Sequence, residues 1–208
     1  MQNVHIIKHP FISDALAHLR TQGLEIEKFR HHSNKMCQLL ITEVVKDLEL
    51  KDVKVQTPLE ETTAQRLSDE VILIPVLRAG LAMLVGALEF LPKSHVGFVG
   101  LERDEKTAVA REYYWKLPKI SHNSVVVVVD PMLATGGSIL HVLRRISEEK
   151  PKKIRVACVI SAPEGIEAVN KEFPDVEIFT GAVDDHLNDK KYIVPGLGDF
   201  GDRYFGTD

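Results

Sequence analysis

The sequence is poor in the features that mark secreted, membrane and nucleic-acid-binding proteins. Only two of its 208 residues are cysteine, which excludes a disulfide framework and fits a reducing compartment. No apolar run approaches the roughly 20 residues that span a bilayer, and the apolar run near the start is too short for a signal peptide. The formal net charge of −4 indicates no general nucleic-acid or membrane binder. We therefore expect one cytoplasmic domain over residues 1–208.

The central part of the chain alternates between apolar runs and helical patterns. Hydrophobic residues make up 44% of the chain, which is enough for a globular core. We predict strands at 71–77, 96–101, 125–129, 154–161 and 176–180, and helices at 79–90, 138–149 and 164–172. Strands that are apolar on both faces and alternate with helices indicate a parallel sheet covered on both sides. The predicted fold class is α/β, a parallel sheet flanked by helices.

The residues before this sheet show different patterns. A short helix is predicted over 10–23, with Ser13 as its cap, and a longer amphipathic helix over 36–48. Alternating residues at 53–57 and 62–67 then predict a β-hairpin. The N-terminal part is therefore expected to be helical and to lead into a hairpin arm.

Two segments, 102–123 and 181–208, match none of these patterns. Both are long, polar and rich in residues that favour turns. Loops of that length in a compact α/β domain are usually functional or disordered. We expect part of the functional site to lie in them.

The segment 125–138 reads VVVVVDPMLATGGS, so an apolar strand stops on an acid and then on small residues. In a parallel α/β sheet, ligands bind at the carboxyl ends of strands, where Asp130 is expected. Gly136 and Gly137 let the backbone approach a ligand, Thr135 and Ser138 add hydroxyl groups, and the next helix adds free amides. No lysine follows the glycines, so this is not the nucleoside-triphosphate P-loop. The pattern fits a sugar-phosphate cradle or a plain capped turn.

Four segments of the chain resemble one known family. Residues 128–138 resemble the phosphoribosyl-pyrophosphate motif of type I phosphoribosyltransferases, in the form of their uracil-specific branch. Residues 75–80 (PVLRAG) resemble the family's pyrophosphate loop, and residues 192–203 (YIVPGLGDFGDR) its uracil-binding tail. The ending 205–207 matches as well. The resemblance extends from His9 onward and implies the type I fold with a C-terminal base-binding hood.

The resemblance implies a glycosyltransferase of pyrimidine salvage that makes UMP and diphosphate from uracil and phosphoribosyl pyrophosphate (PRPP). The implied catalytic residues are Arg78 and Arg103 on the diphosphate, which guanidinium forks match, and Asp130 on the ribose. The residues implied to bind PRPP are Arg78, Arg103, Asp130, Pro131, Met132, Leu133, Ala134, Thr135, Gly136, Gly137, Ser138 and Asp199. Those implied to bind uracil are Ile193, Gly198, Asp199 and Phe200, where backbone groups of a glycine-rich turn would read the base edge.

The resemblance also implies a metal, an effector and an assembly. Mg²⁺ would bind mainly through the diphosphate and keep its waters, so we name no metal-binding residue. GTP is implied as an effector, and a homodimer or higher homo-oligomer is implied, with the hairpin as its arm. His31 and His32 show no metal-ligand spacing and are not expected to hold a metal. Residues 196–201 also fit the G-x-G-x-x-G pattern, but no βαβ unit follows, so we reject a dinucleotide site.

Two alternatives remain from the sequence. The first is a phosphoribosyltransferase for another base, against which the uracil-like tail argues. The second is a pyrimidine-responsive RNA-binding regulator on the same fold, against which the acidic net charge argues. The chain departs from the family between Arg103 and Lys116, where a proline or two is usual and this sequence has none. The conformation of this closing loop is therefore not predicted.

Overall fold

A mostly parallel sheet lies at the centre of the protein, whose computed structural model describes residues 3–103 and 110–207. The helices are α1 (Pro10–Arg20), α2 (Ile26–Val44), α3 (Gly80–Phe90), α4 (Gly137–Glu148), α5 (Pro163–Glu172) and α6 (Phe200–Phe205). The strands are β1 (Val4–Ile6), β2 (Leu50–Gln56), β3 (Glu61–Leu67), β4 (Glu70–Leu77), β5 (His95–Val96), β6 (Phe98–Arg103), β7 (Ala110–Lys116), β8 (Ser124–Val129), β9 (Met132–Leu133), β10 (Lys153–Ser161), β11 (Glu177–Val183), β12 (His186–Leu187) and β13 (Ile193–Val194).

The strand order places a ligand crevice between β4 and β8. The central sheet runs β1-β11-β10-β8-β4-β6-β7, and its neighbours pair in parallel except at the β6–β7 edge. From β4 the chain goes outward to β6, and it then returns to β8 on the other side of β4. Such a reversal of strand order opens a crevice at the carboxyl ends of the two strands. The predicted α/β fold with a parallel sheet is confirmed.

The five valines of β8 explain why this strand reads as one apolar run. Val125, Val127 and Val129 pack with the helices α1, α2, α3 and α6 on one face of the sheet. Val126 and Val128 pack with α4 and α5 on the other face. All five are buried. Because successive side chains of a strand point to opposite faces, a strand covered on both sides needs apolar residues throughout.

The helical N-terminal part exists but differs from the prediction at its boundaries. The cap of α1 is His9, whose Nδ1 accepts a hydrogen bond from the amide of Phe11 at 3.2 Å, whereas Ser13 lies inside the first turn. The helix ends at Arg20, before the predicted stop at Gly23. Its successor α2 begins ten residues earlier than predicted, and its buried stripe includes Ser33. A polar residue on that stripe interrupts the apolar pattern from which a helix is read.

The two unassigned segments contain short regular elements. Strand β7 lies in the first, pairs antiparallel with β6 at the sheet edge, and is mostly exposed, with Glu112 and Trp115 partly buried. The second contains the β12–β13 ribbon and α6, which together form the C-terminal hood. The hairpin arm is present as β2 and β3, slightly longer than predicted. Among the described residues, no helix is long and apolar enough to cross a bilayer.

Candidate active site

A cavity of about 380 Å³ opens where the strand ends meet the C-terminal hood. Of the residues singled out from the sequence, those lining it are Asp130, Met132, Ala134, Ile193, Gly198, Asp199 and Phe200. The segments 128–138 and 192–203, in which these residues lie, are separated by more than fifty residues of sequence. The fold brings both to one cavity, because β8 ends at the crevice and the tail returns to cover it.

The loop after β8 is held firmly on its strand side. The carbonyl of Pro131 accepts hydrogen bonds from the amides of Val159 and Ile160 at 3.0 and 3.1 Å, and the carbonyl of Leu133 accepts one from Ala162 at 2.8 Å. Both loop residues are buried. Pro131 and Leu133 therefore shape the loop, and we expect little contact between their side chains and a ligand.

The far side of the same loop has the geometry of an anion site. Gly136 has a φ of +81°, a left-handed conformation that strains other residues, and α4 begins at the next residue. The amide of Gly137 donates to Thr135 Oγ1 at 3.4 Å, and Ser138 follows in the first turn. A helix N-terminus of this kind presents amide groups and a partial positive charge to a phosphate.

Asp130 stands at the carboxyl end of β8 with its backbone fixed. Its amide donates to the carbonyl of Ala157 at 3.2 Å, and its Oδ1 accepts from the amide of Met132 at 3.2 Å. Burial and, after it, the negative charge of Asp130 raise the pKa of Cys158 well above the ordinary thiol value. Cys158 is thus a neutral buried thiol and not a nucleophile of this site.

Arg78 follows β4 on the other side of the crevice. Its side chain is 60% exposed and donates to Asp202 at 3.3 Å and to Thr207 at 3.4 Å, both long distances. The turn after it lies against β8, because a Cβ on Gly80 would come 2.5 Å from the carbonyl oxygen of Val129. The next residue, Ala79, lines the cavity, whereas Arg78 itself is not among the lining residues. Its guanidinium is held only by long contacts, which an anion can replace.

Arg103 is the last residue of β6 and pairs with Ala110 of β7. Its side chain and residues 104–109 lie outside the described part of the chain. At the base of this hairpin, Glu112 accepts hydrogen bonds from Arg145 at 2.7 and 2.6 Å and lies 2.8 Å from Nε2 of His141. Those bonds, with that of Arg145 first, lower the pKa of Glu112. The β6–β7 pair is thereby fixed to α4, the helix that begins in the loop 135–138.

The hood presents backbone more than side chain to the cavity. The side chains of Ile193 and Phe200 are buried in the core, where the Phe200 ring meets Phe29 edge-on at 5.1 Å. Gly198 has no side chain and a φ of +79°. Asp199 caps α6, since its Oδ1 accepts from the amide of Asp202 at 2.9 Å. Asp199 therefore has a structural role in this turn, and it also lines the cavity.

Sequence reasoning missed several lining residues, namely Ala79, Lys190, Lys191, Tyr192 and Gly201. The two lysines bring positive charge to a cavity that also contains two carboxylates. In the sequence, these lysines are visible only as two adjacent cations directly before the segment 192–203. Such a pair more often lies in a solvated loop. Asp184 lies in the segment 181–208, which matches no pattern in the sequence, and the structure buries it.

Among the described residues, Asp14, His18 and His32 on α1 and α2 bring their possible ligand atoms within 4.8 Å of one another. The two imidazole rings are stacked, with centroids 3.9 Å apart and planes inclined by 16°. A metal ion lies close to the plane of each imidazole that binds it, and two stacked planes share no such point near both nitrogens. We therefore assign no metal to this group.

A Rossmann-like crevice that joins a carboxylate, a phosphate loop and a hood defines a type I phosphoribosyltransferase. A hypoxanthine phosphoribosyltransferase from Staphylococcus aureus shares this fold, with a TM-score of 0.52 at 12% identity over 76% of each chain. A protein from Aquifex aeolicus is far more similar, with a TM-score of 0.95 at 39% identity over 99% of each chain.

Within that class, the chain belongs to the uracil phosphoribosyltransferase family, whose model matches residues 6–207. The uracil phosphoribosyltransferase of Macrococcus caseolyticus is 45% identical over 100% of both chains. That of Malacoplasma penetrans is 44% identical over 97% of this chain and 98% of its own. The resemblance seen in the motifs is thus confirmed over almost the full length.

Proposed function

We propose that this protein transfers the 5-phosphoribosyl group of PRPP to N1 of uracil, giving UMP and diphosphate. The observation that carries the proposal is the single cavity lined by both Asp130 of the phosphate-loop segment and Gly198 of the tail. Curated relatives at about 44% identity are named uracil phosphoribosyltransferase, which supports the same activity here.

In the proposed reaction the donor lies along the crevice. The 5-phosphate binds the loop 135–138 and the start of α4, while Asp130 accepts hydrogen bonds from the ribose hydroxyls. Arg78 binds the diphosphate, and its present contacts to Asp202 and Thr207 are long enough to be exchanged for phosphate oxygens. As the bond from C1 to diphosphate breaks, charge on the leaving group is stabilised by fixed cations and amides, which is the main source of acceleration for such a site.

The base is proposed to bind under the hood. Uracil offers two carbonyl oxygens and one N–H along a single edge, and backbone amides and carbonyls of Ile193 and residues 198–200 can match that pattern. Cytosine reverses donor and acceptor on part of this edge and would leave buried groups unpaired, which disfavours it strongly. Holding N1 against the ribose carbon converts the attack into an effectively intramolecular step.

Mg²⁺ is proposed as the cofactor, bound through the diphosphate and water. The cavity offers carboxylate oxygens from Asp130 and Asp199, the hard donors that this ion accepts, and those residues would receive hydrogen bonds from its waters. The ion would neutralise charge on the leaving diphosphate. The neighbouring Lys190 and Lys191 favour the fully anionic substrate over a dedicated protein metal site.

The decisive experiment measures UMP formation from PRPP with uracil, cytosine, orotate and hypoxanthine offered separately. We expect turnover with uracil alone. Comparable turnover of a second base would support the phosphoribosyltransferase of different specificity. Absence of turnover combined with tight, salt-sensitive RNA binding would support the regulator; nothing in the relatives' names favours that alternative.

A homo-oligomer is proposed on the basis of the hairpin arm. Strands β2 and β3 form a separate two-stranded sheet, and an isolated hairpin is only marginally stable in water. Its three leucines are exposed, Leu59 at 95% and Leu50 and Leu67 at about half. Contact with a second copy would cover them. Light scattering tests the assembly; the same measurement with GTP tests the proposed effector, which rests on the family resemblance alone.

A cytoplasmic location also remains a proposal, which cell fractionation tests.

A further inference from the structure

The backbone of Gly196, in the middle of the tail, is held on both sides by an ion pair. Its amide donates to Asp184 Oδ2 at 2.9 Å, and its carbonyl accepts from Arg20 at 2.6 Å. Arg20 and Asp184 are joined to each other by two bonds of 2.8 and 2.5 Å. The two residues thus engage every polar backbone group of this glycine.

The ion pair connects parts of the chain that are distant in sequence. Arg20 is the last residue of α1, and Asp184 directly follows β11. The side chain of Asp184 is only 4% exposed and that of Arg20 25%. Removal of one partner would leave the other charge buried without compensation. The ion pair is therefore stable only while its hydrogen bonds are intact. Gly196 itself has a φ of +63°, and a Cβ there would clash with the carbonyl of Ile193.

A second arginine holds the next residue of the tail. Arg203 of α6 donates to the carbonyl of Leu197 at 2.6 Å. It also donates to the carbonyls of Leu19 and Thr21, at the end of α1. Its guanidinium lies over the ring of Phe29 at 4.5 Å, a cation–π contact. The end of α1 and two arginines therefore fix residues 196 and 197 immediately before Gly198 in the cavity.

We propose that Arg20, with Asp184, is a positioning device that sets base affinity and selectivity by fixing the backbone of residues 196–198. This inference rests on the proposed function, because it concerns how that site recognises its base. Backbone groups that form hydrogen bonds with a base cannot restore those bonds after a displacement, because they have no side-chain rotamer to change. A small shift of Gly196 would therefore misalign the neighbouring backbone groups that are proposed to bind the edge of the base.

The main variant is Arg20→Lys, which keeps the charge but cannot form the forked bonds to both Asp184 and Gly196. Since loss of a buried partner can prevent folding, the double variant Arg20→Gln/Asp184→Asn is tested beside it, because it removes both charges together. The matched control is Arg144→Lys, which alters a forked pair of similar bond lengths with Glu172 on the exposed surface. Thermal unfolding and PRPP calorimetry monitor the fold and the donor site.

We expect the KM for uracil to rise about 10-fold or more in Arg20→Lys, while the KM for PRPP and its binding heat stay near wild type. The ratio of uracil to cytosine turnover should fall with it, and the control should leave all values unchanged. A lower melting temperature with unchanged uracil KM and selectivity would overturn the proposal and leave a structural ion pair. Equal losses for both substrates would overturn it too. If the wild type itself fails to use uracil while still binding PRPP, the proposed function fails and this inference with it.

Discussion

Replacing Asp130 by asparagine tests the ribose contact with the smallest change of shape. The carboxylate of Asp130 accepts a hydrogen bond from the amide of Met132 at 3.2 Å, which is at the long end of the range. The amide oxygen of asparagine can accept the same bond. We therefore expect the free energy of unfolding to change by less than about 1 kcal/mol.

The effect on catalysis should be much larger. Hydrogen bonds that involve a charged group contribute about 1.5–3 kcal/mol, and each 1.36 kcal/mol corresponds to about a tenfold rate change. The kcat/KM for PRPP should therefore fall about 10- to 150-fold. The assay is UMP formation under varied PRPP with saturating uracil, and the fold is checked by thermal unfolding.

The matched control is Asp175→Asn, an exposed acid that lines a different groove, near the start of β11. It should leave kcat/KM unchanged. An Asp130→Asn enzyme with kinetics close to wild type would refute the role of this carboxylate at the ribose. A protein that loses activity only because it unfolds would show the loss in both measurements at once.

Two further perturbations test other parts of the molecule. Arg78→Ala should raise the KM for PRPP more than that for uracil without affecting stability, because its contacts in the free protein are long and exposed; equal effects on both KM values would contradict the assignment. Burial would raise the pKa of Asp47, but hydrogen bonds from Lys153 and Arg155 bring it to about 2. Its stabilisation is therefore present near neutral pH and lost as pH falls below about 4. Since the carboxylate is 49% exposed, Asp47→Asn should lower the free energy of unfolding by about 1 kcal/mol at pH 7 and by nearly nothing near pH 2. Urea unfolding at both pH values checks this expectation. A loss of stability that does not depend on pH would contradict it.

Local pattern was sufficient for the central sheet and for the residues at its edge. The continuous apolar run of β8 indicates burial on both faces, and Asp130 directly after it indicates a strand end at a ligand crevice. Gly136 and its neighbours indicate a backbone that meets an anion. The strand and the conformation of the loop follow from residues within one or two turns of each other, where conformation is set locally. The ligand-binding roles of these residues stay predictions.

Pattern was insufficient where a residue takes its role from a distant partner. Ser33 is polar and yet lies buried in α2, so the start of that helix was placed ten residues too late. Strand β7 is recognisable only by its pairing with β6, since its charged and aromatic residues, AREYYWK, show no alternation of apolar and polar positions. Asp184 reads as a loop acid until the fold brings Arg20 to it.

The chain's order of residues therefore indicated the α/β class and the family, and it predicted the phosphate loop. Folding alone decided that the tail covers the end of β8, that Lys190 and Lys191 face the same cavity as Asp130, and that α1 holds Gly196. The reason is physical: periodicity and turn chemistry act between near neighbours, whereas a buried ion pair or a shared cavity is formed by groups separated by up to 164 residues.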